Sequence, residues 1–162
     1  MPGGFMPDLK QAYILAIQSE VMSQNLYKML SAAFSRKPEV SAVFDNLIPL
    51  ERLHEEKLRT LFDKEFPGAT LKIDPNLVHQ ATPEEIDEPR KVLEFAISRE
   101  IIAHDIYHNM AQETSDPETA KLLKTLAIEE DYHKTVLETE ILRLEHLMTW
   151  FDPSELNGLV ED

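Results

Sequence analysis

The sequence predicts an all-α protein: a four-helix bundle made of two duplicated helix pairs, with a long crossover between the second and third helices. Three observations carry this. Apolar residues recur at alternating spacings of three and four in four separate stretches, the period of a helix with one buried face. Proline and glycine punctuate the gaps between those stretches. The second half also repeats the first: Ala16, Glu20 and Tyr27 recur 80 residues later as Ala96, Glu100 and Tyr107, and Glu51 and His54 recur 79 residues later as Glu130 and His133. A chain of 162 residues with 43% hydrophobic content suits one domain with an ordinary core, expected over residues 1–148 with a short tail at 149–162.

The first helix is expected from about Pro7 to Phe34, with the seam Leu9, Tyr13, Ala16, Glu20, Ser23, Tyr27, Leu30 and Phe34. The second begins near Pro38-Glu39, where proline suits the first helical turn and an acid suits the positive helix end. Its seam reads Phe44, Leu47, Glu51, His54, Leu58 and Leu61, and the short connection makes it antiparallel to the first. Pro49 removes a hydrogen bond to the carbonyl of Asp45, so a bend or a widened turn is expected there, with a more open site beside it.

From about Phe66 to Thr82 the pattern lapses at Pro67-Gly68, Asp74-Pro75-Asn76 and Thr82-Pro83. Extended at ~3.3 Å per residue, that stretch can travel the length of a bundle and start the third helix parallel to the second. Thr82-Pro83-Glu84-Glu85 reads as a capping box, with Pro89 delaying the long helix by a turn. The third seam is Leu93, Ala96, Glu100, Ala103, Tyr107 and Met110. The fourth helix starts at Asp116-Pro117-Glu118 and carries Leu123, Leu126, Glu130, His133, Leu137 and Leu144. The tail from Thr149, with Trp150 and Phe151, is expected to cover a bundle end or a partner subunit.

Composition excludes several classes. There is no cysteine, which removes disulfides, thiolate zinc and cysteine-bound iron. Thirty acidic against sixteen basic residues give a formal charge of −14, which opposes binding to nucleic acid or to an anionic membrane. No apolar run is long enough to span a bilayer, and the first residues lack the pattern of a secretion signal, so a cytoplasmic protein is expected. Phosphate loops, nucleophile-base pairs and nucleotide fingerprints are absent.

The chemistry lies in what interrupts the apolar seams. Glu20, Glu51, Glu100 and Glu130, with His54 and His133, occupy positions that a soluble helix reserves for apolar side chains. Glu and His at i and i+3 lie one turn apart on one helix face, so each Glu-x-x-His pair can present an oxygen and a nitrogen to a common point. Four buried carboxylates repel one another unless cations balance them, and two divalent ions would do so with both histidines neutral. A single Glu-x-x-His is usually a solvated surface pair. Its recurrence with matching seams, glutamates and tyrosines points to metal.

On these residues the chain resembles the ferritin-like di-iron carboxylate proteins, and within them the rubrerythrin family, across all four helices. The resemblance implies two iron ions per chain, with Glu20 and Glu100 as terminal ligands, Glu51 and Glu130 bridging, and His54 and His133 each binding one ion. It also implies a homodimer, and a di-iron oxidoreductase acting on hydrogen peroxide or dioxygen with an external electron donor such as a rubredoxin. The alternatives are a ferroxidase, or a non-catalytic iron or divalent-metal binding and storage protein. Two departures stand out. Rubrerythrins typically carry a further glutamate three residues after the third-helix ligand, where this chain has Ala103, and usually carry the cysteine-bound rubredoxin domain that these residues lack.

Tyr27 and Tyr107, two turns beyond Glu20 and Glu100, are expected to hydrogen-bond ligand carboxylates of the opposite half, and the resemblance implies that Glu129 holds the ring of His54. Leu50 stands at the place equivalent to Glu129 in the first half, so the two histidines should be unequally supported. His79, His104, His108 and His146 are expected to face solvent or cap helices.

Overall fold

A computed structural model of the chain describes residues 8–78 and 88–150, with side chains through His146. Four helices occupy it: α1 (Leu9–Ala33), α2 (Pro38–Glu65), α3 (Pro89–Glu113) and α4 (Pro117–Trp150). No strand occurs among the described residues. Local chemistry sets the ends. The Asp8 carboxylate accepts from the Gln11 amide at 2.8 Å and caps α1. Asp116 does the same for α4, accepting from Glu118 N and from the Thr119 hydroxyl. Proline opens α2, α3 and α4, where its missing N–H costs no helical bond. The fourth helix continues to Trp150, two residues past the expected boundary, and the rest of the tail and Thr82–Asp87 lie outside the described residues.

Within each half the helices pair closely, α1 on α2 and α3 on α4. Contacts across the halves fix the directions: Tyr27 meets Glu100 while Tyr107 meets Glu20, so α1 and α3 are antiparallel. His54 meets Glu130 while Lys64 meets Asp116, so α2 and α4 are antiparallel too. Hence α2 and α3 run the same way, which only a connection along the length of the bundle allows. Described crossover residues Ala69, Leu71 and Ile73 pack against the core, and the Asn25 amide ties the segment to α1 by donating to the carbonyls of Pro75 and Leu77, each at 2.8 Å. Gly68 leaves α2 at φ 80°, a left-handed conformation that other residues adopt only with strain. This is the ferritin-like four-helix bundle that the sequence predicts.

All the seam positions of α2 and α3 named above are buried, as are those of α1 and α4 apart from the terminal Leu9, Phe34 and Leu144. The apolar core forms two clusters. One is centred on Tyr13, Ile17, Leu58, Phe62, Tyr107 and Leu123; the other on Leu26, Tyr27, Phe44, Leu47, Leu93 and Leu137. The six glutamates and histidines lie in sequence between them on every helix, so the polar layer is sealed above and below. Phe62 is fully buried, with ring centroids 6.0 Å from Tyr13 and 5.5 Å from Phe66. Phe62→Ala is expected to lower the unfolding free energy by about 3–5 kcal/mol, read from urea denaturation, through lost burial and the cavity left behind.

The widened turn and the more open site expected at Pro49 are not found. Pro49 lies within α2, yet α2 is α-helical without interruption from Pro38 to Glu65, and no widened turn appears. A proline removes one bond, and the flanking turns hold because Leu47, Glu51 and His54 stay buried against the bundle. Nor is the adjacent site more open: Glu51 and His54 are 1% and 2% exposed, the same as Glu130 and His133.

Candidate metal centre

Each helix contributes to the buried polar layer: Glu20 from α1, Glu51 and His54 from α2, Glu100 from α3, Glu130 and His133 from α4. Helical spacing of three residues puts the Glu and His of α2 on one face, and likewise those of α4. Packing then crosses the halves. His133 Nδ1 lies 2.9 Å from Glu51 Oε1, and His54 Nδ1 makes a short contact with Glu130 Oε1. The two imidazoles stack with centroids 5.1 Å apart.

The wider arrangement is a pair of matched sets. His54 Nδ1 faces Glu130, Glu20 at 3.7 Å and Glu51 at 3.8 Å. His133 Nδ1 faces Glu51, Glu100 at 3.7 Å and Glu130 at 3.7 Å. Glu51 and Glu130 belong to both sets; Glu20 belongs to the first and Glu100 to the second. Glu51, His54, Glu130 and His133 alone bring one donor atom each to within 4.8 Å of one another.

Burial makes this layer electrostatically expensive. Desolvation, then the charge of Glu100, pushes Glu130 up to about 7. Desolvation and the charge of Glu51 raise Glu100 likewise. Burial by itself would lower both histidines. Hydrogen bonding with Glu130 and the charges of Glu130 and Glu51 reverse this for His54, and the close carboxylates of Glu100, Glu130 and Glu51 push His133 up to about 12. Without metal, protons and histidine charge neutralise the carboxylates.

Donor chemistry fits a metal. Glu20 Oε2, Glu100 Oε2 and Glu130 Oε2 are fully buried with no hydrogen-bond partner among the described residues, an arrangement that costs about 1–3 kcal/mol or more per group unless a cation takes up the lone pairs. The other oxygens of Glu20 and Glu100 are held. Tyr27 donates to Glu100 Oε1 at 2.5 Å and Tyr107 donates to Glu20 Oε1. Both tyrosines are fully buried, and desolvation followed by nearby carboxylate charge raises their pKa well above 10, so they remain neutral donors. Tyr107→Phe is expected to destabilise the metal-free protein by about 1–3 kcal/mol in urea denaturation, because Glu20 keeps its burial and loses its donor.

Glu129, partly exposed, places Oε2 at 2.7 Å from His54 Nε2, while Lys57 lies 3.9 Å from its other oxygen. Leu50 takes that place in the first half. Among the described residues none hydrogen-bonds His133 Nε2. The two histidines are therefore unequally supported.

Gln24 is a neighbour that the seams do not single out. It is buried, four residues after Glu20, and its amide donates to the Glu20 carbonyl at 3.1 Å and to Glu55 Oε1 at 2.9 Å. Arg59 holds the other Glu55 oxygen at 2.8 Å. The i+4 spacing from Glu20 was the only available signal. His104 and His108 stand on the outer side of α3, the first partly exposed and the second exposed.

The rubrerythrin family model matches residues 14–141. No curated protein matches. Among solved structures, a hypothetical protein from Pyrococcus furiosus is similar at 23% identity and a TM-score of 0.69, over 88% of this chain and 92% of that one. An uncharacterized conserved protein from Magnetospirillum magnetotacticum MS-1 is similar at 23% identity and a TM-score of 0.66, over 85% of this chain and 95% of that one. These likenesses speak to the fold, while the family match spans all four helices and every member of the buried layer: the chain belongs to the rubrerythrin family.

Proposed function

We propose that Glu20, Glu51, His54, Glu100, Glu130 and His133 hold two iron ions, and that the protein is a non-haem di-iron oxidoreductase that reduces hydrogen peroxide or dioxygen. The carrying observation is the pair of matched sets, each one imidazole and three carboxylates, with Glu51 and Glu130 common to both. Sharing makes those two glutamates the bridging candidates and leaves Glu20 and Glu100 as terminal ones. Four carboxylates against two divalent ions leave the layer formally neutral. When bound, the ions supply reversible one-electron changes of state.

The protein's own groups set the conditions. Tyr27 and Tyr107 each fix one oxygen of a terminal glutamate and leave the other free for a cation. Glu129 accepts the Nε2 proton of His54, which directs the Nδ1 lone pair toward the carboxylates and offers a proton path from the partly exposed Glu129 to the buried ring. The apolar clusters on either side exclude bulk water. These residues hold no cysteine to bind a rubredoxin-type iron, so the reading needs an electron donor beyond them, such as a rubredoxin.

Ala103 favours a second reading within the same class. It is buried on α3 one turn from Glu100, and its methyl group cannot exchange for a carboxylate ligand. Ferrous iron would then be a substrate, oxidised without a ligand change. Kinetics decide between them. NADH-linked peroxide reduction through an added rubredoxin supports the peroxidase; oxygen consumption in fixed ratio to added ferrous iron, with no peroxide turnover, supports the ferroxidase. Neither activity in protein that retains two ions per chain would leave binding and storage as the function.

A further inference from the structure

Outside the buried layer, α3 carries a second pair of imidazoles. His104 and His108 are four residues apart on one helix face, and their rings lie nearly parallel, 6° apart in plane with centroids separated by 6.1 Å. Two histidines at i and i+4 can close a chelate on one ion, as they do in helical zinc sites.

His104 is already set for that role. Its Nδ1 lies 3.0 Å from the carbonyl of Ala127 and 3.2 Å from Asp131 Oδ1, both on α4. A carbonyl only accepts, so Nδ1 bears the proton and Nε2 keeps its lone pair. A carbonyl or carboxylate behind the ring is what orients metal-binding histidines and raises their basicity. On His108, the Gln112 amide nitrogen lies 3.3 Å from Nε2 and donates toward it, which places that ring's lone pair at Nε2 too, in a long, exposed contact that a bound ion would displace. Both rings reach water: His104 is 30% exposed and His108 is exposed. Duplication does not account for the pair, because Gln24 and Lys28 stand at the corresponding places in the first half.

We propose that His104 and His108 form a solvent-facing site for one late first-row divalent ion, Cu2+, Ni2+ or Zn2+, separate from the buried layer. Imidazole suits these ions, and copper binds most tightly of the series. Water completes the coordination sphere, and the strongly acidic surface concentrates cations around it.

The test is copper titration of the full chain, read by pulsed electron paramagnetic resonance, which counts imidazoles on each Cu2+. Wild type should show an ion with two imidazoles. The signal should persist in Glu130→Ala, which breaks the buried layer. In His108→Ala it should fall to one imidazole with affinity weakened at least about tenfold, since loss of an outer partner alone costs about 10–100-fold. Circular dichroism should be unchanged, because His108 is exposed. Absence of two-imidazole copper in wild type, its survival in His108→Ala, or its loss in Glu130→Ala would each overturn the proposal. Because His54 and His133 could also bind copper, the contribution of the outer pair is read as the difference between wild type and His108→Ala, each titrated in the same state of iron loading.

Discussion

Glu130→Ala is expected to abolish paired-metal binding while the metal-free bundle stays folded. Glu130 meets both histidines: Oε1 contacts His54 Nδ1 and Oε2 lies 3.7 Å from His133 Nδ1, without a hydrogen-bond partner. Its loss therefore removes a donor from each set at once, which no substitution of Glu20 or Glu100 does. Metal analysis after ferrous loading should fall from two ions per chain to residual levels. The fold should survive, because the carboxylate removed is one that burial penalises. Helical circular dichroism with a melting midpoint near that of metal-free wild type is the expected result. Two retained ions would show that Glu130 is not shared between them.

The second large effect is the response of metal-free protein to pH. Glu130 is raised from 4.5 to about 7 in the folded state, so its contribution is present below the unfolded pKa and is lost as pH rises from 4.5 through 7. His133 is raised from 6.5 to about 12, so the stability from its charge is present below 6.5 and is lost progressively as pH rises toward 12. Both act in one direction: metal-free protein should be most stable in mild acid and weaken steadily toward alkaline pH. Cations replace protons in the loaded form, and its melting midpoint should hold or rise across neutral pH. Parallel melting curves for the two forms between pH 5 and 9 would mean that the carboxylates do not face one another in solution.

Both effects arise from residues that the sequence itself displays. A glutamate or histidine on a helical seam between leucines is conspicuous because burial penalises charge, and the duplication shows it twice. The helix starts were legible from proline and acid at Pro38-Glu39 and Pro117-Glu118. The seams were legible because period 3.6 reports which face is buried. Pro49 shows the limit of that logic: local chemistry predicts a widened turn, and packing of the flanking seam residues keeps α2 helical. Gln24 shows another, since a glutamine beside the seam carries no charge to mark it, and its value appears only when Glu55 arrives from α2.

The sequence by itself determined the four helices, their inward faces and the six donors, because side-chain period and the cost of buried charge are local properties of the chain. Tertiary structure alone decided that each histidine meets the bridging candidate of the other half and that Gln24 meets Glu55, whereas the bonds of Tyr27 and Tyr107 across the halves and the support of His54 by Glu129 were already expected and are found. Periodicity assigns a residue to a face and says nothing about which distant residue will lie opposite. That is fixed by the antiparallel crossing of the halves, which the crossover permits and the two apolar clusters hold in register.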